Sequence, residues 1–161
     1  MRTLVDFFAL SEGMQFVTMA DKIIHTFRNN RDENNKKIYA SILNMRNLGQ
    51  LIEVQVQMLS LRQRMLEDSH IILDTLVNQR KNYRILKGNA YDNIVNNIQL
   101  RLKTTGEKEA IVEGSSQIAE LRNKIEILES QTEYYSESIR TVDDILYGIK
   151  TRLDIEKMLG V

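Results

Sequence analysis

IAELRNKIEILESQTEYYSESIRTVDDILYGIKTRL, residues 118–153, carries apolar side chains that step by three and four. The first position of each heptad reads Ile118, Ile125, Thr132, Ile139, Leu146 and Leu153. The fourth reads Leu121, Leu128, Tyr135, Val142 and Ile149. Ten of these eleven are apolar or Tyr, and no Pro interrupts them. A period of about 3.5 residues held over this length predicts a helix whose narrow seam stays turned toward another helix. A second stripe, Ile127, Tyr134, Ile145, Tyr147 and Ile155, lies off the seam. A helix apolar on two sides has more than one neighbour, so this helix is expected to pack both on its own chain and on a second copy.

The rest of the chain supplies partners of the same kind. Residues 38–86 keep a near-heptad rhythm through Leu51, Val54, Met58, Leu61, Met65, Ile72, Leu76, Tyr83 and Leu86. They predict a second long helix that tolerates Gly49 and stops at Gly88, where a left-handed residue caps helices. Tyr91, Ile94, Val95, Ile98 and Leu102 suggest a shorter helical piece before Thr104-Thr105-Gly106. Thr105 is expected to cap the next helix, with Glu107 and Glu109 at its positive end. Near the N-terminus, Phe16, Val17, Ala20, Ile23, Ile24 and Phe27 recur at helical spacing. They predict a shorter amphipathic helix, either a packing helix or a docking segment for a partner. The polar run 29–37 reads as a turn or linker. The expected fold is all-α: a long antiparallel helical hairpin or coiled coil over 38–161, with a basic turn region at 79–106. A shorter N-terminal helix with its linker occupies 1–37, and the C-terminal helix serves for oligomerisation. No strand pattern and no internal repeat is evident.

The 161 residues suit one domain. There is no Cys, hence no disulfide framework and no Cys-based metal site, and a reducing cytoplasm is the expected compartment. No apolar run approaches the ~20 residues of a membrane span, and Asp6 and Glu12 break up Phe7, Phe8 and Leu10 as a signal peptide. Net charge is zero, yet residues 107–161 carry 7 basic and 12 acidic side chains. Residues 79–106 carry six basic ones, Arg80, Lys81, Arg84, Lys87, Arg101 and Lys103, against Asp92 alone. A local field of one sign points to a polyanionic partner.

Constellations for catalysis are not found in the sequence, so no enzyme activity and no cofactor is expected. The two His, His25 and His70, are far from the i, i+4 spacing of a helical zinc site. The seven Gly form no phosphate loop, and carboxylate pairs such as Asp143-Asp144 sit on solvated faces. No nucleophile has a base at hand. The basic cluster remains. Arg80, Arg84 and Lys87 share one helix face at i, i+4, i+7, where they could neutralise successive phosphates without reading sequence. Tyr83 and Tyr91 lie among them, and bases stack on aromatic rings. The plainer alternative is that these charges solvate a turn. So few cations would bind weakly in one subunit, and a ring of subunits would multiply them.

At these residues the chain resembles the UvsY recombination-mediator family of T-even-type phages. The likeness covers about residues 75–161. It is carried by Arg80-Lys81-Asn82-Tyr83-Arg84-Ile85-Leu86-Lys87-Gly88-Asn89-Ala90, then Glu120-Leu121-Arg122-Asn123-Lys124-Ile125, Tyr134-Tyr135, Tyr147-Gly148-Ile149-Lys150 and Lys157-Met158-Leu159-Gly160. The chain departs from the family pattern at Ile145-Leu146, at Asn82 and at Met158. The resemblance implies a helical homo-oligomeric ring, a hexamer or heptamer, that binds single-stranded DNA. It implies that such a ring helps a RecA-like recombinase replace the single-strand-binding protein, in the host bacterial cytoplasm if the chain is phage-encoded. Carried over by position, Arg80, Lys81, Arg84 and Lys87 become DNA contacts. Leu121, Ile125, Leu128, Tyr135, Ile139, Val142, Leu146, Ile149 and Leu153 become the assembly surface. A reading from another class is a structural coiled coil, a virion or scaffold component with no nucleic-acid role. It accounts equally well for the heptads, but not for the concentration of positive charge at 80–103.

Overall fold

The computed structural model describes the backbone of residues 4–97 and 103–160, and the side chains of 20–47, 49–97 and 103–160. Among the described residues every regular element is helical. The order is α1 (Leu4–Asn44), a 3-10 turn (Leu48–Gln50), α2 (Leu51–Asn96), α3 (Thr105–Glu113) and α4 (Ser116–Leu159). Two compact units result: residues 1–72 with 131–161, and residues 73–130.

Three helices build the first unit. Arg62 donates to Asp143 at 2.6 Å, and the Tyr135 hydroxyl donates to Asp68 at 3.0 Å, so α2 and α4 run antiparallel here. Gln131 donates to the Ile24 carbonyl, Tyr134 to the Arg31 carbonyl and Arg152 to the Met45 carbonyl. These contacts advance along both helices together, so α1 runs parallel to α4. The Arg152 guanidinium thereby closes the C-terminal end of α1, where carbonyls lack helical partners. Ala20, Ile24, Phe27 and Ile38 of α1 meet a core of Leu51, Met58, Leu61, Met65 and Ile72 from α2 and Tyr135, Val142, Ile145 and Ile149 from α4, all buried.

The N-terminal helix is therefore not short, and the expected linker is absent. α1 is 41 residues long and passes straight through 29–37. That run contains no Gly or Pro, so nothing in it forbids a helix. Every seventh or so residue still faces inward, with Asn34 buried between Phe27 and Ser41 in the heptad rhythm. Asn30 donates to Asp68, Lys37 pairs with Glu33 one turn away, and Arg31 lies 5.4 Å over the Tyr134 ring. The actual break falls where a continuous helix was expected. Asn47 Oδ1 accepts from the Gly49 amide and the Asn47 carbonyl accepts from Gln50, an Asx-type turn that reverses the chain into α2.

Two further expectations are corrected. α2 continues two turns past Gly88 to Asn96, because a Gly without positive φ is only a weak spot in a helix. A Cβ at position 88 would meet nothing within 4 Å. Gly88→Ala is accordingly expected to stabilise the protein by about 0.5–1 kcal/mol, read as a higher midpoint in urea unfolding. The helix expected from Thr105 onward is broken at Gly114-Ser115, and its cap is Thr104. Thr104 accepts from the Glu107 amide while Glu107 accepts from the Thr104 amide at 2.8 Å, a reciprocal box that satisfies two amides.

On α4 the fourth heptad positions are buried as the periodicity predicts: Leu121, Leu128, Tyr135, Val142 and Ile149. The first positions Ile125, Thr132, Ile139, Leu146 and Leu153 are only half-buried. The residues just before them go in instead: Lys124, Gln131, Ser138 and Ile145. A bundle of three helices needs a wider buried stripe than a two-strand seam. In consequence, five of the nine side chains expected to form an assembly surface lie inside the chain's own core. Ile125, Ile139, Leu146 and Leu153 flank it. Of the second stripe, Ile145 is buried and Ile127 and Tyr134 are half-buried, while Tyr147 and Ile155 are exposed.

Candidate nucleic-acid interface

The basic stretch of α2 lies in the second unit, residues 73–130. α2, α3 and the first turns of α4 are held together by an apolar cluster of Ile94, Val112 and Ile118, flanked by Tyr83, Leu86, Ala90 and Tyr91. Val112 is drawn in from α3 and Ile118 from α4, and this packing presents Glu113, the last residue of α3, to α2.

Glu113 is the meeting point of two hydrogen-bond donors and one further cation. Lys87 Nζ lies 2.6 Å from one carboxylate oxygen and the Tyr83 hydroxyl 3.0 Å from the same oxygen. Arg122 of α4 approaches the other oxygen at 3.4 Å. The hydrogen bond from Lys87, then that from Tyr83, holds the Glu113 carboxyl below its ordinary value, outweighing partial burial. The bond to Glu113 raises Lys87 in turn. A group depressed in the folded state stabilises it fully above the unfolded value near 4.5 and loses that contribution as pH falls through the folded value. Acid titration should therefore show the protein losing stability below about pH 4.5 with a component that Glu113→Gln removes, measured by urea midpoints at successive pH values.

The expected contact residues differ in how available they are. Lys81 and Arg84 are exposed, three residues apart on one face of α2. Among the described residues no ion pair holds either of them. Arg80 and Lys87 are ion-paired within the chain: Arg80 Nη2 lies 2.6 Å from Glu129 of α4, and Lys87 is on Glu113. Lys103 is exposed beside the cap of α3, and Arg101 lies outside the described residues. Tyr83 does not present a free stacking face. It packs against the apolar cluster, its hydroxyl is tied to Glu113, and Lys87 Nζ sits 5.8 Å from its ring centre. Tyr91 packs against the same cluster, and burial pushes its hydroxyl up.

Two residues of this arrangement were not expected from the sequence. Arg122 sits in a helix whose composition is acidic, and Glu113 reads as one more solvated carboxylate. Only the turn at Gly114-Ser115 brings them together. Gly114 is suited to it, because a Cβ there would stand 3.0 Å from the Ala110 carbonyl oxygen. Elsewhere among the described residues, His25 and His70 are exposed, no group of three His, Asp or Glu could hold a metal ion, and no helix is long and apolar enough to cross a membrane.

Comparison with models of known protein families, with curated proteins and with solved structures finds no match to this chain.

Proposed function

We propose that this chain is a non-catalytic protein that binds single-stranded DNA through the α2 edge at Lys81 and Arg84. We propose further that it does so as a homo-oligomer, in the manner of the recombination mediators its sequence resembles, helping a RecA-like recombinase replace the single-strand-binding protein. The observation that supports this most is the stretch of α2 from Arg80 to Tyr91, which bears no acidic residue and leaves Lys81 and Arg84 in solvent without a partner among the described residues. Two such cations per subunit give little affinity alone, since each phosphate neutralised contributes a salt-dependent increment. Several subunits on one strand raise it through effective concentration. The test is fluorescence anisotropy of a labelled oligo-dT at 50 and 200 mM salt, with light scattering of the same samples. Binding by an oligomer that weakens steeply with salt is expected. An oligomer indifferent to the oligonucleotide at 50 mM would remove the reading.

That last outcome would favour a purely architectural role, for which one observation speaks. Ile52, Val56 and Leu59 follow each other by four and three along α2, all exposed, a helix face of the kind that covers another helix.

A further inference from the structure

The cations of the second unit are not equally available, and the difference has a pattern. Lys87 and Arg122, from different helices, converge on Glu113, and Arg80 lies on Glu129. Both acids come from α3 or α4 and both cationic partners of the α2 edge are in the row Arg80, Lys81, Arg84, Lys87. A carboxylate bridging two cations offers them what a phosphate would: a planar or tetrahedral anion with several acceptor oxygens at hydrogen-bond distance. We infer that Glu113 and Glu129 are internal stand-ins for phosphate. They mask Arg80, Lys87 and Arg122, and a nucleic-acid backbone arriving at Lys81 and Arg84 competes with them for these three side chains.

This inference rests on the proposed single-stranded DNA binding and adds two things to it. Arg122 joins the binding surface, although it belongs to the acidic helix. The surface also has two tiers: Lys81 and Arg84 open the contact, and the masked cations extend it by changing partners. The exchange needs only side-chain movement. Arg80 and Glu129 are each about half exposed, at 50% and 43%, so their pair is bathed in water and weakly held. The Glu113–Lys87 pair is less exposed, at 25% and 32%, and the Tyr83 hydroxyl adds a further bond to it, whereas Arg122 is 57% exposed and also lies 4.0 Å from Glu126. Glu129 should therefore yield before Glu113. Masking of this kind lowers affinity for every polyanion and makes occupancy depend on phosphate density. A long strand gains the second tier and an isolated nucleotide does not.

The experiment compares Glu129→Gln, Glu113→Gln and the remote Asp154→Asn, an equal change of net charge at an exposed position on the part of α4 that belongs to the first unit. Oligo-dT is the probe, and its affinity is followed by anisotropy from 50 to 200 mM salt. Wild-type binding should tighten severalfold in Glu129→Gln and further in Glu113→Gln, with no change in Asp154→Asn. The slope of log affinity against log salt should steepen by about 0.7 for the one cation freed by Glu129→Gln and by about 1.4 for the two freed by Glu113→Gln. Circular dichroism verifies that each variant is folded. Because Glu129→Gln alters only an exposed pair, it decides the matter even if Glu113→Gln loosens α3. If Lys81→Ala with Arg84→Ala abolishes binding but Glu129→Gln behaves like Asp154→Asn, the masking is wrong and the DNA site stands. If no variant binds oligo-dT at 50 mM salt, both are wrong.

Discussion

Tyr135→Ala is expected to destabilise the protein by about 3–5 kcal/mol, a fall in Tm of roughly 10 °C for a chain of this size. Tyr135 has no solvent exposure and stands where all three helices of the first unit meet. Its ring meets Phe27 of α1 edge-on at 5.8 Å and Tyr134 at 5.4 Å, and its hydroxyl donates to Asp68 of α2. Truncation leaves a cavity lined by rings and rigid helices that cannot close around it. It also takes one of two donors from Asp68, the other being Asn30. Burial, and then the neighbouring Asp68 carboxylate, push the Tyr135 hydroxyl up, so it stays a neutral donor throughout the accessible pH range. Tyr135→Phe separates the two contributions. It keeps the ring and removes the donor, for an expected loss of about 1–2 kcal/mol. Thermal and urea unfolding followed at 222 nm would measure both. A Tyr135→Ala protein with unchanged Tm would mean that the three helices do not meet at this ring.

The second large effect is on binding. Lys81→Glu with Arg84→Glu is expected to lower oligo-dT affinity at least tenfold at 50 mM salt and to flatten the salt dependence by about 1.4 in slope, two phosphate contacts at about 0.7 each. The fold should be unaffected, because both side chains point into solvent. The matched control is Lys22→Glu with Lys36→Glu on α1, an identical change in net charge on exposed or surface residues of the first unit. Equal losses in the two double variants would mean that overall charge, and not this edge of α2, attracts the strand. Retained affinity in the α2 variant would remove the edge from consideration altogether.

These two residues sets also mark how far periodicity reaches. The helical character of the chain and the inward row Leu121, Leu128, Tyr135, Val142 and Ile149 follow from spacing alone, because an apolar residue every three to four positions can hide from water only on one side of a helix. The row on α2 from Leu51 to Leu76 was legible for the same reason, and it is buried. The ends of helices were less so. Asn47 and Gly49 form a turn while Gly88 does not, and nothing in the residue types separates the two glycines. The difference is that Asn47 has a backbone amide to accept from at Gly49, and that Arg152, more than a hundred residues away, covers the carbonyls left open at Met45 and Arg46. The polar run 29–37 reads as a linker because its composition is polar. It is helical because Asp68 and Tyr134 offer partners to Asn30, Arg31 and Asn35.

The candidate site shows the same division. The concentration of Arg and Lys between positions 80 and 103 is a property of the sequence, and so is the exposure to be expected of most of them. Which of them are occupied could not be read there. Ion pairing is set by distance in space: Glu113 and Glu129 lie 26 and 49 positions from their partners on α2, and Arg122 reaches Glu113 only across the turn at Gly114. The local code, one side chain every hundred degrees or so around a helix, determined that this protein is helical and which rows face inward. Only the packing of one helix on the next decided that α4 also faces α1, through Gln131 and Tyr134, and that half of the α2 cations are answered from within. Both depend on which surfaces meet, and a one-dimensional pattern carries no information about the surface opposite.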